Sequence, residues 1–179
     1  MIENVILVDP NDTPIGQMEK MEAHRKGILH RAISILTFNS SGELLLQQRA
    51  FSKYHSPGLW TNTCCSHPRP GEESLDAANR RLDEEMGFST LLSKSFDFIY
   101  RAHFDNGLIE HEFDHVFFGT FDGVPLINPE EAHAYKWVHL VDLMEDMRSN
   151  PSLYTVWFRI IMEKMEEKLP QLFISKSQT

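Results

Sequence analysis

The stretch SHPRPGEESLDAANRRLDEEMGF, residues Ser66 to Phe88, decides the fold because it joins a loop, a helix pattern and a helix stop. Ser74 is the expected N-cap and Gly87 the expected C-cap of this helix. Apolar side chains recur between them at the i, i+3, i+7 and i+11 positions of one face: Leu75, Ala78, Leu82 and Met86. The pattern predicts a helix from Ser74 to Met86 with one apolar face.

The charged side chains of this helix form a second pattern. Arg81, Glu84 and Glu85 lie within one turn, so at ~100° per residue two carboxylates and a guanidinium share a face. In an arbitrary helix such a face is usually a solvated surface with an i, i+4 pair, here Arg81 with Glu85. The spacing of the surrounding residues favours a binding face instead.

That spacing resembles the Nudix box, G-x5-E-x7-R-E-U-x-E-E-x-G-U with U apolar, in which a loop-helix-loop presents carboxylates to a divalent cation carrying a diphosphate. The matching positions are Glu72, Arg80, Leu82, Glu84, Glu85, Gly87 and Phe88. Two positions depart from it: Ser66 replaces a glycine, and Arg81 replaces a glutamate that helps Nudix hydrolases hold metal. A cation there attracts diphosphate instead of gathering metals, so a diphosphate-binding frame remains while hydrolysis is disfavoured.

Length and composition limit the other possibilities. Of 179 residues, 41% are hydrophobic and 24% charged, as expected for one globular domain with a full core. The formal charge of -9 opposes non-specific binding to nucleic acid or anionic membranes. The sequence shows no signal-peptide pattern and no long uncharged apolar run. We expect a cytoplasmic protein with no nucleic acid and no membrane as partner.

Strand and helix patterns alternate along the rest of the chain. Strands are predicted at Glu3–Asp9 followed by QMEKMEAH, at Ala32–Asn39 with Leu44–Ala50, at Phe96–Phe104 with His111–Phe121, and at Ala134–Leu140. VDLMEDMRS then predicts a short helix, and Ser152–Leu169 predicts an amphipathic one. The mixed order, without repeats or linkers, predicts one α/β (α+β) domain over residues 1–179, with about 170–179 a frayed tail.

The histidines are candidate metal ligands. Three imidazoles, with two carboxylates that a strand would point to one face, would make an N3O2 site for a divalent ion: His24, His30, His67, Glu110 and Glu112. The remaining histidines, expected on the surface or hydrogen-bonded in the core, are His55, His103, His111, His115, His133 and His139.

Seven segments, in order along the chain, together resemble type I isopentenyl-diphosphate isomerases. They are EKMEAH (19–24), LHRA (29–32), LLLQQRAFSK (44–53), PGLWTNTCCSHP (57–68), RRLDEEMG (80–87), YRA (100–102) and EHEFDHVF (110–117). The resemblance implies a Nudix-like fold with a mixed central sheet packed between helices. It also implies an enzyme that interconverts isopentenyl diphosphate and dimethylallyl diphosphate, feeding isoprenoid biosynthesis. That reaction needs an acid and a base on opposite faces of a dry pocket.

The resemblance assigns roles to individual residues. Cys65 and Glu112 would flank the alkene and handle the protons, with the Tyr100 hydroxyl beside Glu112. The His/Glu set would hold Mn²⁺, Mg²⁺ or Zn²⁺, and Glu85 would hold a Mg²⁺ that arrives with the diphosphate. Which ion occupies the His/Glu site, and which of Cys65 and Glu112 is the acid in each direction, stay open.

The resemblance also implies contacts with the substrate. Four cations would bind the diphosphate: Lys20, Arg49, Lys53 and Arg81. An aromatic face would stabilise the carbocation, and Trp157 matches that position; from its helical stripe with Leu153, Ile160 and Ile161 alone, ordinary core packing is the alternative. The partner is therefore a small isoprenoid diphosphate, bound by a monomer or a weak homodimer.

The two cysteines are adjacent and are expected to differ. Neighbouring cysteines cannot tie distant segments together, so no structural disulfide is expected. Cys65, two residues from His67 and near metal, is expected to have a lowered pKa and act as a thiolate, whereas Cys64 is expected to pack as a bystander. A Nudix pyrophosphohydrolase, kept open by Glu72 among others, and a binding module without catalysis are the alternatives to an isomerase.

Overall fold

A mixed β-sheet forms the centre of the fold in a computed structural model that describes residues 3–173. Its strands are β1 (Asn4–Val8), β2 (Pro14–Glu19), β3 (His30–Phe38), β4 (Glu43–Arg49), β5 (Trp60–Thr61), β6 (Cys64–Ser66), β7 (Ser93–His103), β8 (Ile109–Thr120) and β9 (Ala132–His139). The α-helices are α1 (Lys20–Lys26), α2 (Ser74–Met86), α3 (Leu140–Ser149) and α4 (Val156–Lys168), with short 3-10 helices at Pro151–Leu153 and Pro170–Phe173.

Alternating side chains of the central strands divide the interior into two cores. Ile33 and Ile35 of β3 pack with Leu82 of α2 in one core. Leu36 of β3 packs with Phe158 of α4 in the other, which also includes residues of α3. Successive side chains of a strand point to opposite faces, so one strand serves both cores. The predicted mixed sheet between helices is confirmed.

Strand β3 lies between the strands that carry the predicted catalytic residues. It pairs in parallel with β8, from His30 opposite Glu112 to Phe38 opposite Thr120. It also pairs antiparallel with β6, where Ser34 lies opposite Cys65. These registers place the cysteine strand and the glutamate strand on the two sides of β3.

Three predicted strand pairs were tested by this topology. β1 pairs with β2, and β7 pairs with β8, both antiparallel as expected. The predicted hairpin of β3 and β4 meets only at Phe38 opposite Leu44. β4 pairs along its length with β9 instead, because β3 already has β8 and β6 as partners.

Helix boundaries also correct the sequence prediction. The sequence pattern predicts that QMEKMEAH continues a strand, but α1 begins at Lys20. The Glu19 side chain accepts hydrogen bonds from the backbone N–H groups of Met21 and Glu22. These bonds satisfy amides that a helix start leaves free, which is why the strand ends there. The N-cap of α2 is Glu73 and not Ser74.

The C-terminal helix is shorter than predicted. Residues Pro151–Leu153 form a 3-10 helix and α4 begins at Val156, so Leu153 is 48% exposed and does not join the apolar stripe. Of the predicted tail, Pro170–Phe173 form a 3-10 helix and residues 174–179 lie outside the described range. Within residues 3–173, none of the helices has the length and apolar character needed to cross a membrane.

Gly87 offers a test of how α2 ends. Its φ is +68°, and a Cβ there would lie 2.4 Å from the Leu126 carbonyl oxygen, whereas Gly42 has a φ of +78° with open space around it. We expect Gly42→Ala to lower the free energy of unfolding by ~1 kcal/mol from left-handed strain alone. Gly87→Ala should lose ~2 kcal/mol more because the clash adds to the strain. Urea unfolding measures both, and equal losses would contradict the clash.

Candidate active site

One partly enclosed pocket is lined by side chains from helices, from strands and from the segments that connect them. It has about 560 Å³ of empty space, its opening to solvent included. The residues predicted to be catalytic or substrate-binding all line it: Lys20, Arg49, Lys53, Cys65, Arg81, Tyr100, Glu112 and Trp157. The predicted ligands His67, Glu85 and Glu110 line it as well. The other two, His24 and His30, are fully buried.

Backbone carbonyls orient these two histidines. His24 Nδ1 lies 2.7 Å from the Lys20 carbonyl oxygen, and His30 Nδ1 lies 2.8 Å from the Ile28 carbonyl oxygen. A carbonyl only accepts, so each Nδ1 carries the proton and each Nε2 presents a lone pair. Both Nε2 atoms are buried and without a hydrogen-bond partner among residues 3–173. Two unpartnered lone pairs in the interior fit a metal.

Glu112 completes a set that could hold one ion. The ligand atoms of His24, His30, His67 and Glu112 all lie within 4.8 Å of one another. Glu112 Oε1 lies 2.9 Å from His67 Nε2 and 3.6 Å from His30 Nε2. Two ligands at right angles on bonds of ~2.1 Å would be ~3.0 Å apart, so this spacing suits a shared divalent ion. Burial lowers the pKa of His24, and that of His67 to about 4, so both are neutral at pH 7 and able to bind metal.

The fifth predicted ligand, Glu110, is placed differently. It does not share the set above but groups with His24 and His55. The Tyr100 hydroxyl connects the two glutamates, 2.6 Å from Glu112 Oε2 and 3.0 Å from Glu110 Oε2. Tyr100 therefore lies beside Glu112, where the sequence prediction put it.

The two glutamates carry different charges. Burial raises the pKa of Glu110 well above its usual range, and the neighbouring Glu112 carboxylate raises it further. Burial also acts to raise the pKa of Glu112, but its interactions with the neighbouring His30 and His67 imidazoles outweigh that effect and hold the pKa well below its usual range. Of the two, Glu112 is therefore the glutamate that ionises more readily.

The predicted diphosphate-binding cations are already paired with protein groups. Lys20 Nζ lies 3.0 Å from Glu3, and Lys53 pairs with Glu131. Arg81 contacts three carboxylates, those of Glu84, Glu85 and Glu131. Arg49 donates to the His55 carbonyl oxygen and lies 5.1 Å from the Trp157 ring centroid. A bound diphosphate would take over some of these pairings.

Trp157 belongs to the apolar core and also lies at the pocket wall. That core is formed with α3 and α4, and the Trp157 side chain is buried in it. Its indole Nε1 has no hydrogen-bond partner in the described part of the chain. Core packing thus holds an aromatic face at the wall of the pocket.

The two cysteines lie on opposite faces of β6. Cys64 is fully buried in the core against α2, whereas Cys65 lines the pocket, and both are free. The bystander expected at Cys64 is thus a core residue. The lowered pKa expected for Cys65 is wrong: burial raises the pKa of this thiol, and the nearby Arg49 cation offsets that effect only in part. Burial therefore favours the thiol form of Cys65.

The carboxylates of the Nudix-like box are distributed unevenly. Glu72 accepts two hydrogen bonds of 2.7 Å from the Arg80 guanidinium and does not line the pocket. Glu84 pairs with Arg80 and Arg81 and is also absent from the pocket wall. Only Glu85 faces it, with Gln47 donating to Oε2 at 2.8 Å. The box thus presents one carboxylate, Glu85, and the Arg81 cation to the pocket, whereas a hydrolase would present several carboxylates.

Comparisons with known proteins agree with this geometry. The model of the family described as NUDIX domain matches residues 28–158. The chain is 56% identical over 165 residues to isopentenyl-diphosphate Delta-isomerase 2 of Aromatoleum aromaticum, covering 92% of this chain and 87% of that one. It is 54% identical over 165 residues to isopentenyl-diphosphate Delta-isomerase of Serratia proteamaculans, covering 92% of each. The chain belongs to the NUDIX family, among the isopentenyl-diphosphate Delta-isomerases.

A solved structure gives the same fold for this NUDIX-family chain. The crystal structure of DR0079 from Deinococcus radiodurans superposes with a TM-score of 0.77 at 19% identity, over 90% of this chain and 98% of that one. At that identity the likeness concerns the fold. The family resemblance and the Nudix-like fold predicted from the sequence are confirmed.

Among the residues of this isomerase-family pocket that sequence reasoning did not assign to the site are His55 and Glu131. His55 was expected on the surface or hydrogen-bonded in the core, yet it lines the pocket, and its Nδ1 is buried without a partner within residues 3–173. Glu131 lines it too and holds both Lys53 and Arg81. Neither residue belongs to a periodic pattern, so the available signal was the position of His55 between two family-like segments, 44–53 and 57–68.

Metal binding tests the His/Glu set. Mn²⁺ at ~100 times its dissociation constant should raise the free energy of unfolding by ~2.7 kcal/mol, and EDTA should reverse the gain. His30→Ala should lose most of this stabilisation because it removes a buried lone pair. His133→Ala, which changes an exposed histidine, should keep it. Thermal unfolding with and without metal measures the effect, and equal stabilisation of both variants would mean that the ion binds elsewhere.

Proposed function

We propose that this protein interconverts isopentenyl diphosphate and dimethylallyl diphosphate by adding a proton to one carbon of the alkene and removing one from another. The observation that carries the proposal is one pocket that contains a thiol, a buried carboxylate and four cationic side chains. The names of the relatives, isopentenyl-diphosphate Delta-isomerases at 54% and 56% identity, support it.

Cys65 and Glu112 are the two groups that exchange protons with the substrate. They come from β6 and β8, which pair with the two sides of β3, and this supports a placement on either side of the bound alkene. Because the reaction is reversible, each group serves as acid in one direction and as base in the other. The Tyr100 hydroxyl donates a hydrogen bond to Glu112 and so stabilises its carboxylate form.

The substrate is held by charge at one part of the molecule and by apolar contact at the other. Lys20, Arg49, Lys53 and Arg81 bind the diphosphate, with Arg81 able to donate two hydrogen bonds to it. The Trp157 ring stabilises the tertiary cation, a contact worth up to ~2 kcal/mol in a desolvated site. A buried tryptophan also excludes water, which would otherwise add to the cation.

Two cations complete the proposed site. A Mn²⁺, Mg²⁺ or Zn²⁺ would be held by His24, His30, His67, Glu110 and Glu112, and a Mg²⁺ would accompany the diphosphate at Glu85. When bound, such ions supply positive charge that neutralises the diphosphate and holds the carboxylates in place. With Glu110 and Glu112 ligated, their mutual repulsion is reduced.

The proposal also covers the domain organisation, the oligomeric state and the cellular compartment of the enzyme. We infer one Nudix-like isomerase domain over residues 1–179, acting as a monomer or weak homodimer in the cytoplasm. Two free cysteines support a reducing compartment, where disulfides are rare. A small isoprenoid diphosphate is the proposed partner.

Hydrogen exchange tests the reaction. Isopentenyl diphosphate incubated with the protein and Mg²⁺ in D₂O should give dimethylallyl diphosphate that carries deuterium, because the added proton comes from a group that exchanges with solvent. Mass spectrometry of the product measures this. Unlabelled substrate recovered unchanged would contradict the isomerase, and release of phosphate or diphosphate would indicate a Nudix hydrolase instead.

The adjacent cysteines supply a matched pair of variants. Cys65→Ala should lower turnover by ~10³-fold or more, because it removes a proton-transfer group, while ligand affinity is kept. Cys64→Ala should keep turnover within about threefold, and lower the free energy of unfolding by ~1 to 2 kcal/mol, because it only opens space in the core. Steady-state kinetics and urea unfolding separate the two effects. Equal turnover in the two variants would contradict the assigned role of Cys65.

A further inference from the structure

His55 is a buried histidine at the pocket wall, in the connection between β4 and β5. It is 7% exposed. Its ring stacks on Phe104, with centroids 5.2 Å apart, and meets the Trp157 ring edge-on at 5.5 Å. These two aromatic contacts fix the plane of the imidazole. They do not explain why a polar ring occupies the position, since a phenylalanine could pack in the same way.

The Nε2 atom of His55 lies near a glutamate, as do those of His30 and His67. Its Nδ1, unlike those of His24 and His30, has no hydrogen-bond partner within residues 3–173. Its Nε2 lies 3.4 Å from Glu110 Oε1, which is longer than a good N–H···O hydrogen bond. The distance falls between the 2.9 Å and 3.6 Å that separate His67 and His30 nitrogens from Glu112 Oε1. It therefore suits two ligands on one ion better than a donor and an acceptor.

A shared histidine joins His55 to the rest of the ligand set. The ligand atoms of His24, His55 and Glu110 lie within 4.8 Å of one another. His24 also belongs to the set with His30, His67 and Glu112, and it has one lone pair to offer, at Nε2. The two groups therefore share one ligand, His24, and a single ion bound by all these side chains requires the groups to close around it.

We propose that His55 is a sixth protein ligand of the cation at the His/Glu site, giving it an N4O2 coordination shell. The inference rests on the metal site of the proposed function and adds a ligand to it. Six protein ligands fill an octahedron, so the ion has no open position for water or substrate. Such an ion fixes Glu110 and Glu112 beside the pocket and does not bind the alkene. Four imidazoles favour a six-coordinate first-row transition ion over Mg²⁺, which prefers oxygen.

The test compares two ions on metal-stripped protein. His55→Ala and His55→Phe should bind Mn²⁺ about 10- to 100-fold more weakly than the original protein, because each lacks the sixth lone pair. Zn²⁺ affinity should change less than about threefold, because four ligands already satisfy zinc. Phe104→Leu, which alters the ring stacked on His55 but removes no ligand, should keep both affinities. Competition with a chromogenic chelator measures them.

Each other outcome has a defined meaning. Unchanged Mn²⁺ affinity in both His55 variants would overturn the inference, and so would an equal loss for both ions or the same loss in Phe104→Leu, since these indicate packing. A crystal structure of the Mn²⁺-loaded protein should place His55 Nε2 within about 2.4 Å of the ion, and a separation beyond about 3 Å would overturn ligation. If the unaltered protein binds neither ion, the proposed metal site fails as well; if it binds Mn²⁺ and isomerises substrate, only the role of His55 is in question.

Discussion

Burying two carboxylates on one strand, at Glu110 and Glu112, is the constraint on which the rest of the site depends. Both side chains lie on one face of β8, and in a dry interior two like charges so close would strongly destabilise the fold. Tyr100 lies between them, and three imidazoles lie close to Glu112. The pKa of Glu112 is thereby held low, whereas that of Glu110 is raised. The histidines, whose unpartnered nitrogens would otherwise be a cost, become useful once a cation binds.

The sheet supplies the geometry that this arrangement needs. β3 pairs with β8 on one side and with β6 on the other, so a single strand sets the positions of Glu112 and Cys65. The same strand divides the apolar interior, and the packing of α2 and α4 on its two faces holds Arg81 and Trp157 at the pocket. Arg81 occupies a position where the Nudix box has a glutamate. It therefore gives the pocket a cation where a hydrolase would hold metal.

Much of the fold and of the site could be predicted from the sequence. The period of Leu82 and Met86 and the stop at Gly87 are local signals, so the extent of α2 was predicted correctly. α1 was missed because its seven residues are too few for a periodic pattern, and its cap is a glutamate, which is not among the usual capping residues. The pairing of β4 with β9 was missed because partner choice depends on strands far apart in the chain.

The sequence by itself determined which chemical groups are present and in what order: a cysteine two residues before a histidine, paired glutamates on one strand, and an arginine where a Nudix carboxylate is expected. Only the tertiary structure decided the pKa values of these groups and which side chains lie next to them. It raises the pKa of Cys65, lowers that of Glu112, and places His55 near Glu110 and Trp157. The physical reason is that burial and electrostatic interaction depend on distances between residues remote in sequence, which motif spacing does not encode.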